Sequence, residues 1–190
     1  MAEYYFELHF SLPAALDEPD GYLDALYEAG CDDAVVGWGR RGYIALDFSR
    51  SARSAELAIR SAVHDVKQAI PGARLITAAP DLVNLSDIVR LLDQAGIIQL
   101  TRQAMRKYAL NQVKKSHRSF PPSQVFAESP LWHLDDVVAW LIDNGKVECL
   151  DAAERLLDTA HGVRELNASL EYARVAPAHP YDSVAALALG

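Results

Sequence analysis

Apolar and polar residues alternate at the start of the chain in the pattern of a strand. Tyr4, Phe6, Leu8 and Phe10 alternate with polar side chains, which predicts a strand with one buried face. The patterns that follow predict a short helix from Pro19 to Gly30 and then two strands, at 34–36 and 43–48. After these strands they predict a longer helix, with apolar positions from Ala58 to Ile70, and a last strand at 74–77. This βαββαβ order predicts an antiparallel sheet with two helices on one face.

That order is the ferredoxin-like arrangement, and we predict such a domain for residues 1–80. The turn between its second and third strands, residues 37–42, matches Gly-x-Gly-x-x-Gly. A strand rather than a helix follows, so we interpret it as a hairpin turn and reject nucleotide binding. For Arg40 and Arg41 at its tip, a solvated loop is favoured over contact with a ligand or DNA.

A helical region follows the boundary at Pro80-Asp81. Ser86 is predicted to cap a first helix that ends before Gly96. Thr101 is predicted to cap a second helix, in which Met105, Tyr108 and Ala109 face inward. The outward positions of that helix are then Arg102, Gln103, Arg106 and Lys107.

Charge is distributed unevenly along the 190 residues. The net charge of −8 argues against a protein that coats nucleic acid indiscriminately. However, no acidic residue lies between Asp93 and Glu128. The basic residues of this window are Arg102, Arg106, Lys107, Lys114, Lys115, Arg118 and, when protonated, His117. Such a cluster is typical of phosphate contact, and its alternative is a solvated helix face neutralised by acids elsewhere in the fold.

The side chains of this window are those that read DNA. Arginine and glutamine form paired hydrogen bonds with guanine and adenine in the major groove, and a helix N-terminus favours phosphate. We therefore predict a DNA-reading helix that begins at the Thr101 cap and carries Arg102, Gln103, Arg106 and Lys107. Lys114, Lys115, His117 and Arg118 are predicted to hold phosphates.

Residues 81–92 (DLVNLSDIVRLL) and 100–107 (LTRQAMRK) resemble a helix-turn-helix of the MerR/excisionase superfamily. Residues 120–125 (FPPSQV) and 131–141 (LWHLDDVVAWL) are similar to the wing hairpin and third helix of its prophage-regulator branch. The resemblance implies a winged helix-turn-helix DNA-binding domain over residues 81–148. Members are mostly transcription regulators or recombination directionality factors. One departure is the connection between the first two helices, which is longer here than in the family.

The chain ends in a helical pattern and a tail. Positions 149, 153, 156, 160, 163, 167 and 170 form a heptad seam with one polar member, Asn167. We interpret residues 149–175 as a dimerisation helix, against the alternative that it packs on the sheet of its own chain. Adjacent Asp135 and Asp136 are predicted to cap the third helix. The tail, 176–190, is predicted to be mobile or loosely docked.

Other kinds of chemistry leave no signature in this sequence. We find no P-loop, nucleophile elbow or zinc-protease motif, and the six histidines lack metal-ligand spacing. The predictions are therefore no enzyme and no cofactor. The sequence has two cysteines, and its start lacks the pattern of a signal peptide, so we predict a cytoplasmic protein. It also has no long apolar run, so we predict no membrane partner.

Together these patterns predict an α+β protein that binds double-stranded DNA. The hypothesis is a bacterial or phage transcriptional regulator that acts as a homodimer on a pseudo-palindromic site. Its N-terminal domain is predicted to be an interaction or sensor domain, and a possible protein partner would bind there. The alternative is an interaction adaptor, antitoxin-like or a phage-defence accessory subunit, that does not bind DNA. The acidic Glu128 near the wing tip and the longer helix connection favour the alternative, and the acid-free window opposes it.

Overall fold

The structure, a computed structural model, describes residues 1–13, 19–37, 40–113 and 116–175 and shows a mixed α+β protein. The N-terminal half consists of β1 (Ala2–Ser11), α1 (Leu23–Glu28), β2 (Ala34–Gly37), β3 (Tyr43–Ala52), α2 (Ala55–Ala69) and β4 (Arg74–Ala79). The C-terminal half consists of β5 (Leu82–Val83), α3 (Leu85–Gln94), α4 (Arg102–Ala109), β6 (Trp132–His133), α5 (Leu134–Asp143) and α6 (Leu150–Val175). In the described residues the order of helices and strands matches the prediction, with two differences. The predicted wing hairpin is a single bridge, and the short pair β5–β6 is added.

The N-terminal half contains a four-stranded antiparallel sheet in the order β2-β3-β1-β4. Direct pairs such as Phe6 with Phe48 and Leu8 with Leu46 set the register of its two central strands. Even-numbered residues of β1 and β3 therefore form the buried face, where the rings of Phe6 and Phe48 stack 5.3 Å apart. The odd-numbered residues form the outer face.

A buried arginine ties the sheet to the helices of this half. Arg50 on β3 forms two hydrogen bonds with Asp33, at 2.8 and 2.9 Å, and one with Asp65 of α2 at 2.6 Å. It also donates to Ser61 and to the Gly30 carbonyl. Burial lowers the pKa of Arg50, but the hydrogen bonds to the two aspartates outweigh it, so the net shift is upward. The charge stays fixed and fully hydrogen-bonded.

The C-terminal half has its own hydrophobic core. Met105, Trp132 and Trp140 from α4, β6 and α5 lie in it together with Ile88 and Leu92 of α3. The short strands β5 and β6 pair Leu82 with His133 and Val83 with Trp132, so the chain entering α3 is joined to the chain entering α5.

The long helix α6 packs against both halves of its own chain. Ala153, Leu156 and Ala160 are buried in the C-terminal core, and Val163 is buried in the N-terminal core. Four of the seven seam positions are therefore covered by the same chain, as the alternative of packing within the chain predicts, whereas Cys149 is exposed and Leu170 is partly exposed. Dimerisation through α6 stays a prediction. Gly162 also allows close packing, since a Cβ there would lie 3.3 Å from Ile59.

Polar contacts join the two halves around the boundary at Asp81. Asn167 of α6 donates to the Ala78 carbonyl at 2.9 Å and accepts from the Ala78 N–H at 2.8 Å. Its amide also donates to Asp81, whose other carboxylate oxygen lies 2.6 Å from His133 Nδ1. The polar member of the seam is thus satisfied within the chain rather than by a second helix.

Two predicted helix caps are corrected. Asn84, not Ser86, caps α3, and its side chain accepts from the backbone N–H groups of Ser86 and Asp87. His133 occupies the cap position of α5 without a side-chain cap bond. Asp135 is instead buried and accepts two hydrogen bonds from Arg164 of α6 at 2.9 and 3.1 Å, so it anchors one helix to another.

In the first helix, the spacing of Leu23, Leu26 and Tyr27 predicts that all three pack on one inner side. Only Leu26 is buried, whereas Leu23 is 39% and Tyr27 70% exposed. None of the helices in the described ranges is both long enough and apolar enough to cross a membrane. Trp38 and Gly39 of the glycine-rich turn, and the tail from 176, lie outside the described residues.

Candidate nucleic-acid interface

The connection between α3 and α4 is anchored to the core. Gly96 adopts a left-handed backbone conformation (φ +65°) just after α3 ends. Ile97 is fully buried, and its carbonyl accepts hydrogen bonds from the Glu148 and Cys149 N–H groups at 3.0 and 3.3 Å. The longer connection is therefore fixed against the segment that leads into α6, which sets the point where α4 begins.

Helix α4 is oriented by its cap and its buried residue. The Thr101 side chain accepts from the Ala104 N–H at 3.1 Å, as predicted, and Met105 is fully buried. Tyr108 packs against Trp140, with ring centroids 5.4 Å apart. These contacts direct one side of the helix into the core and leave the opposite side in solvent.

The solvent side carries all the base-reading residues that the sequence predicts on this helix. Thr101, Arg102, Gln103, Arg106 and Lys107 are exposed. Among the described residues, none of the three cations on α4 forms an ion pair. The proposed neutralisation of this face by acids from elsewhere in the fold is therefore absent from the described part of the chain.

The segment after α4 is held by two asparagines. Asn111, in the left-handed region at φ +53°, accepts from the Phe120 N–H at 2.8 Å. Asn144, at the end of α5, accepts from the His117 N–H at 2.6 Å and donates to the Trp140 carbonyl at 2.8 Å. A loop with exposed charges is thereby attached at both ends to the helical core.

The two tryptophans add to this attachment. The ring N–H of Trp140 donates to the Arg118 carbonyl at 3.0 Å, and that of Trp132 donates to the Pro121 carbonyl at 3.1 Å. Phe120 lies between them, with centroid distances of 5.0 Å to Trp140 and 6.3 Å to Trp132. The tryptophans pack in the core, and their ring N–H groups also position the basic segment.

His117 and Arg118 are consequently exposed on a fixed backbone, on the same half as α4. Arg118 lies 3.6 Å from Asp143, but both side chains are more than half exposed, so this ion pair is weak. Lys114 and Lys115, predicted to hold phosphates with them, lie outside the described residues.

The wing-like segment forms a narrow loop. Val125 and Leu131 form one antiparallel bridge, and the Gln124 N–H donates to the Leu131 carbonyl at 2.8 Å. Phe126 is 86% exposed at its tip, next to the exposed Glu128. The predicted hairpin is therefore reduced to a single bridge in the described residues.

Sequence reasoning missed Asn111, Asn144 and Ile97, which position the basic residues without touching a ligand. Asn111 follows a helical pattern at a place where asparagine tolerates positive φ, which is the available local signal. Asn144 acts over 27 positions and left no such signal. Within the described ranges, no group of three or more histidine, cysteine or acidic side chains is placed to hold a metal ion.

The chain has no match among models of known protein families, among curated proteins or among solved structures. We therefore infer function from the geometry and charge of this site.

Proposed function

We propose that this protein is a sequence-specific, double-stranded-DNA-binding transcriptional regulator. In this proposal α3, α4, the 124–131 loop and α5 form a winged helix-turn-helix of the MerR/excisionase type, and the N-terminal half is a ferredoxin-like domain. Helix α4 lies in the major groove. Arg102, Gln103, Arg106 and Lys107 read bases, and His117, Arg118 and the two neighbouring lysines hold phosphates.

The observation that carries the proposal is the exposed, unpaired basic side of α4. In an acidic protein, free countercharges are abundant, yet within the described residues none pairs with the three cations of this helix. Gln103 adds the paired donor and acceptor that adenine requires. A rigid core beneath the helix, through Met105 and Tyr108, fixes the direction of these side chains.

The test is fluorescence anisotropy with DNA from upstream of the protein's own gene and with random duplex, titrated over salt. We expect at least about hundredfold tighter binding to the specific duplex, with affinity falling steeply as salt rises. Absence of binding to either duplex at low salt would overturn the proposal.

Arg106→Ala should weaken binding to the specific duplex by about 1–3 kcal/mol and weaken binding to random duplex far less, because a base contact is lost. Arg118→Gln should instead weaken both and reduce the slope of log affinity against log salt by about one phosphate contact. Arg60→Ala, which removes the same charge from α2 in the other half, is the matched control and should leave affinity unchanged.

The homodimer on a pseudo-palindromic site stays a prediction. Because four of the seven seam positions of α6 are buried within the chain, we expect a dimer to use another surface, whereas a monomer would read one half-site. Light scattering with and without DNA at micromolar concentration distinguishes the two: a mass of two chains is expected on a full site.

A protein-interaction adaptor is the second candidate, and Phe126 favours it. An aromatic side chain that is 86% exposed beside an acidic residue is unusual for a phosphate-contacting loop and typical of a protein contact. If DNA binding is absent, Phe126→Ser is the variant to test for loss of partner capture.

A further inference from the structure

A cleft of about 690 Å³ lies between the two halves of the molecule. Its walls are the outer face of β1 and β3, the connection from Ala79 to Val83, one side of α3 and the first half of α6. This volume is within the usual range for small-molecule sites, which often form at the junction of two structural units. The proposed DNA interface is on a different helix, α4, so the cleft is a separate feature.

Two carboxylates face each other across the strands at this cleft. The register of β1 and β3 places Glu7 directly opposite Asp47 on the outer face of the sheet. Like charges in directly opposed strand positions destabilise a sheet. Within the described residues, Asp47 has neither a hydrogen bond nor an ion pair. Burial, and next the charge of Glu7, raise the pKa of Asp47, as expected for a carboxylate without a cation.

An aromatic ring lies beside this pair. Tyr5 is on the same face of β1 as Glu3 and Glu7, is 59% exposed, and donates its hydroxyl hydrogen bond to Glu3. Ser49 also donates to Glu3 at 2.9 Å. An exposed aromatic face flanked by carboxylates attracts organic cations.

The rest of the cleft is largely apolar or already paired. Leu82, Leu91 and Leu156 supply apolar parts of its lining. Arg90 lies 3.6 Å from Asp87, which leaves Arg155 as the cation without an ion pair among the described lining residues. The charge of Arg155 acts on Tyr5. Glu3, Glu7 and Asp47 line the same cleft, and among the described residues the one ion pair that any of them forms is between Glu7 and His9. The unneutralised charge is therefore negative.

From this arrangement we infer that the cleft binds a small organic cation, an amine with an apolar body. Its ammonium group would lie between Asp47 and Glu7, with Tyr5 against its charge and the leucines against its apolar part. A metal ion fits less well, because in the described residues no three ligating side chains converge there and part of the wall is hydrocarbon.

The probe is 2-phenylethylamine, titrated by calorimetry into the full-length protein without DNA, so that the outcome is independent of the proposed DNA binding. At about 150 mM NaCl, where surface attraction is screened beyond about 8 Å, we expect saturable binding with Kd below about 1 mM. Phenylpropionate and 2-phenylethanol have a similar apolar body without the positive charge. They should bind at least about tenfold more weakly.

Asp47→Asn should weaken amine binding about tenfold, and Asp24→Asn, on the exposed surface of α1, should leave it unchanged. Without ligand, Asp47→Asn should melt a few degrees higher, because the repulsion with Glu7 is removed. Equal binding of the carboxylate probe, equal affinity of the two variants, or a lower melting temperature of Asp47→Asn would each overturn the inference.

Discussion

In the part of the chain that the structure describes, each half of the molecule buries one charged residue, and the two halves hold it in different ways. Arg50 is paired with Asp33 and Asp65 of its own half, from the chain before β2 and from α2. Asp135 of α5 is paired with Arg164, which lies on the helix that crosses both halves. The first network therefore stabilises one half, whereas the second joins the C-terminal half to α6.

The exposed faces of the two halves also differ, in the sign of their charge. The outer face of the sheet has acids placed opposite each other by strand register, while α4 has cations spread along one side of a helix. Strand pairing sets the positions of the acids in the N-terminal half. In the other half, hydrogen bonds from Trp140 and to Asn144 fix the basic segment. The chain thus has an acidic surface and a basic surface, and each is positioned by contacts within its own half.

The largest expected effect is the loss of the Arg50 network. Arg50→Leu leaves Asp33 and Asp65 without their shared partner, and we expect the free energy of unfolding to fall by about 3–5 kcal/mol. Urea denaturation gives this value, and hydrogen exchange should show the loss concentrated in β2, β3 and α2.

Arg60→Leu is the matched control, since Arg60 pairs with Glu56 on the exposed side of α2. Its effect should stay within about 0.5 kcal/mol. If both variants have the same small effect, the N-terminal half does not depend on its buried charge and the comparison between the halves fails.

A smaller effect is expected where α6 joins the halves. Asn167→Leu removes the hydrogen bonds to Ala78 and Asp81, so the free energy of unfolding should fall by about 1–3 kcal/mol. The same substitution in a coiled-coil seam would stabilise a dimer.

Light scattering and thermal melting of this variant therefore separate the two arrangements of α6. Ala168→Leu, one position along and exposed, is the control that adds the same side chain without breaking a contact. A more stable, dimeric Asn167→Leu protein would refute the intramolecular packing of this helix.

The smallest expected change concerns the two thiols, one in each half of the chain. Burial raises the pKa of Cys31 to about 11, and the nearby positive charge of Arg50 only partly offsets this. Cys149 is exposed. In the native protein at mildly alkaline pH, a thiol reagent should modify Cys149 rapidly and Cys31 only after unfolding.

The same shift gives a pH dependence of stability. Because folding raises the pKa of Cys31, its stabilising contribution is complete below the ordinary thiol pKa and is lost as pH rises towards about 11. Denaturation midpoints of the wild-type protein and Cys31→Ala should therefore converge over this range. A constant difference between them would contradict the buried, neutral thiol.

Local patterns predicted much of this architecture. Alternation in β1, the Thr101 cap and the inward position of Met105 each depend on residues a few positions apart, so they are legible in the sequence. The exposure of Arg102, Gln103, Arg106 and Lys107 follows from the same helical period. Their base-reading role stays a prediction, because exposure alone does not establish a ligand.

Where the local signal was ambiguous, neighbours decided the outcome. Asn84 and Ser86 are both good caps, and only the backbone geometry at the start of α3 selects Asn84. The spacing of the apolar residues in α6 is compatible with packing against a helix of a second chain and with packing against its own chain. The choice depends on the apolar surface that the two cores leave uncovered, which no short window of sequence contains.

The sequence by itself therefore determined the strand and helix periods, the acid-free basic window and the apolar side of each element. Tertiary structure alone decided that α6 is shared by two cores, that Asp135 and Arg164 meet, and that Glu7 and Asp47 oppose each other beside a cleft. The physical reason is range: periodicity arises from backbone geometry over one or two turns, whereas these contacts join residues about 29 to 40 positions or more apart through burial and pairing.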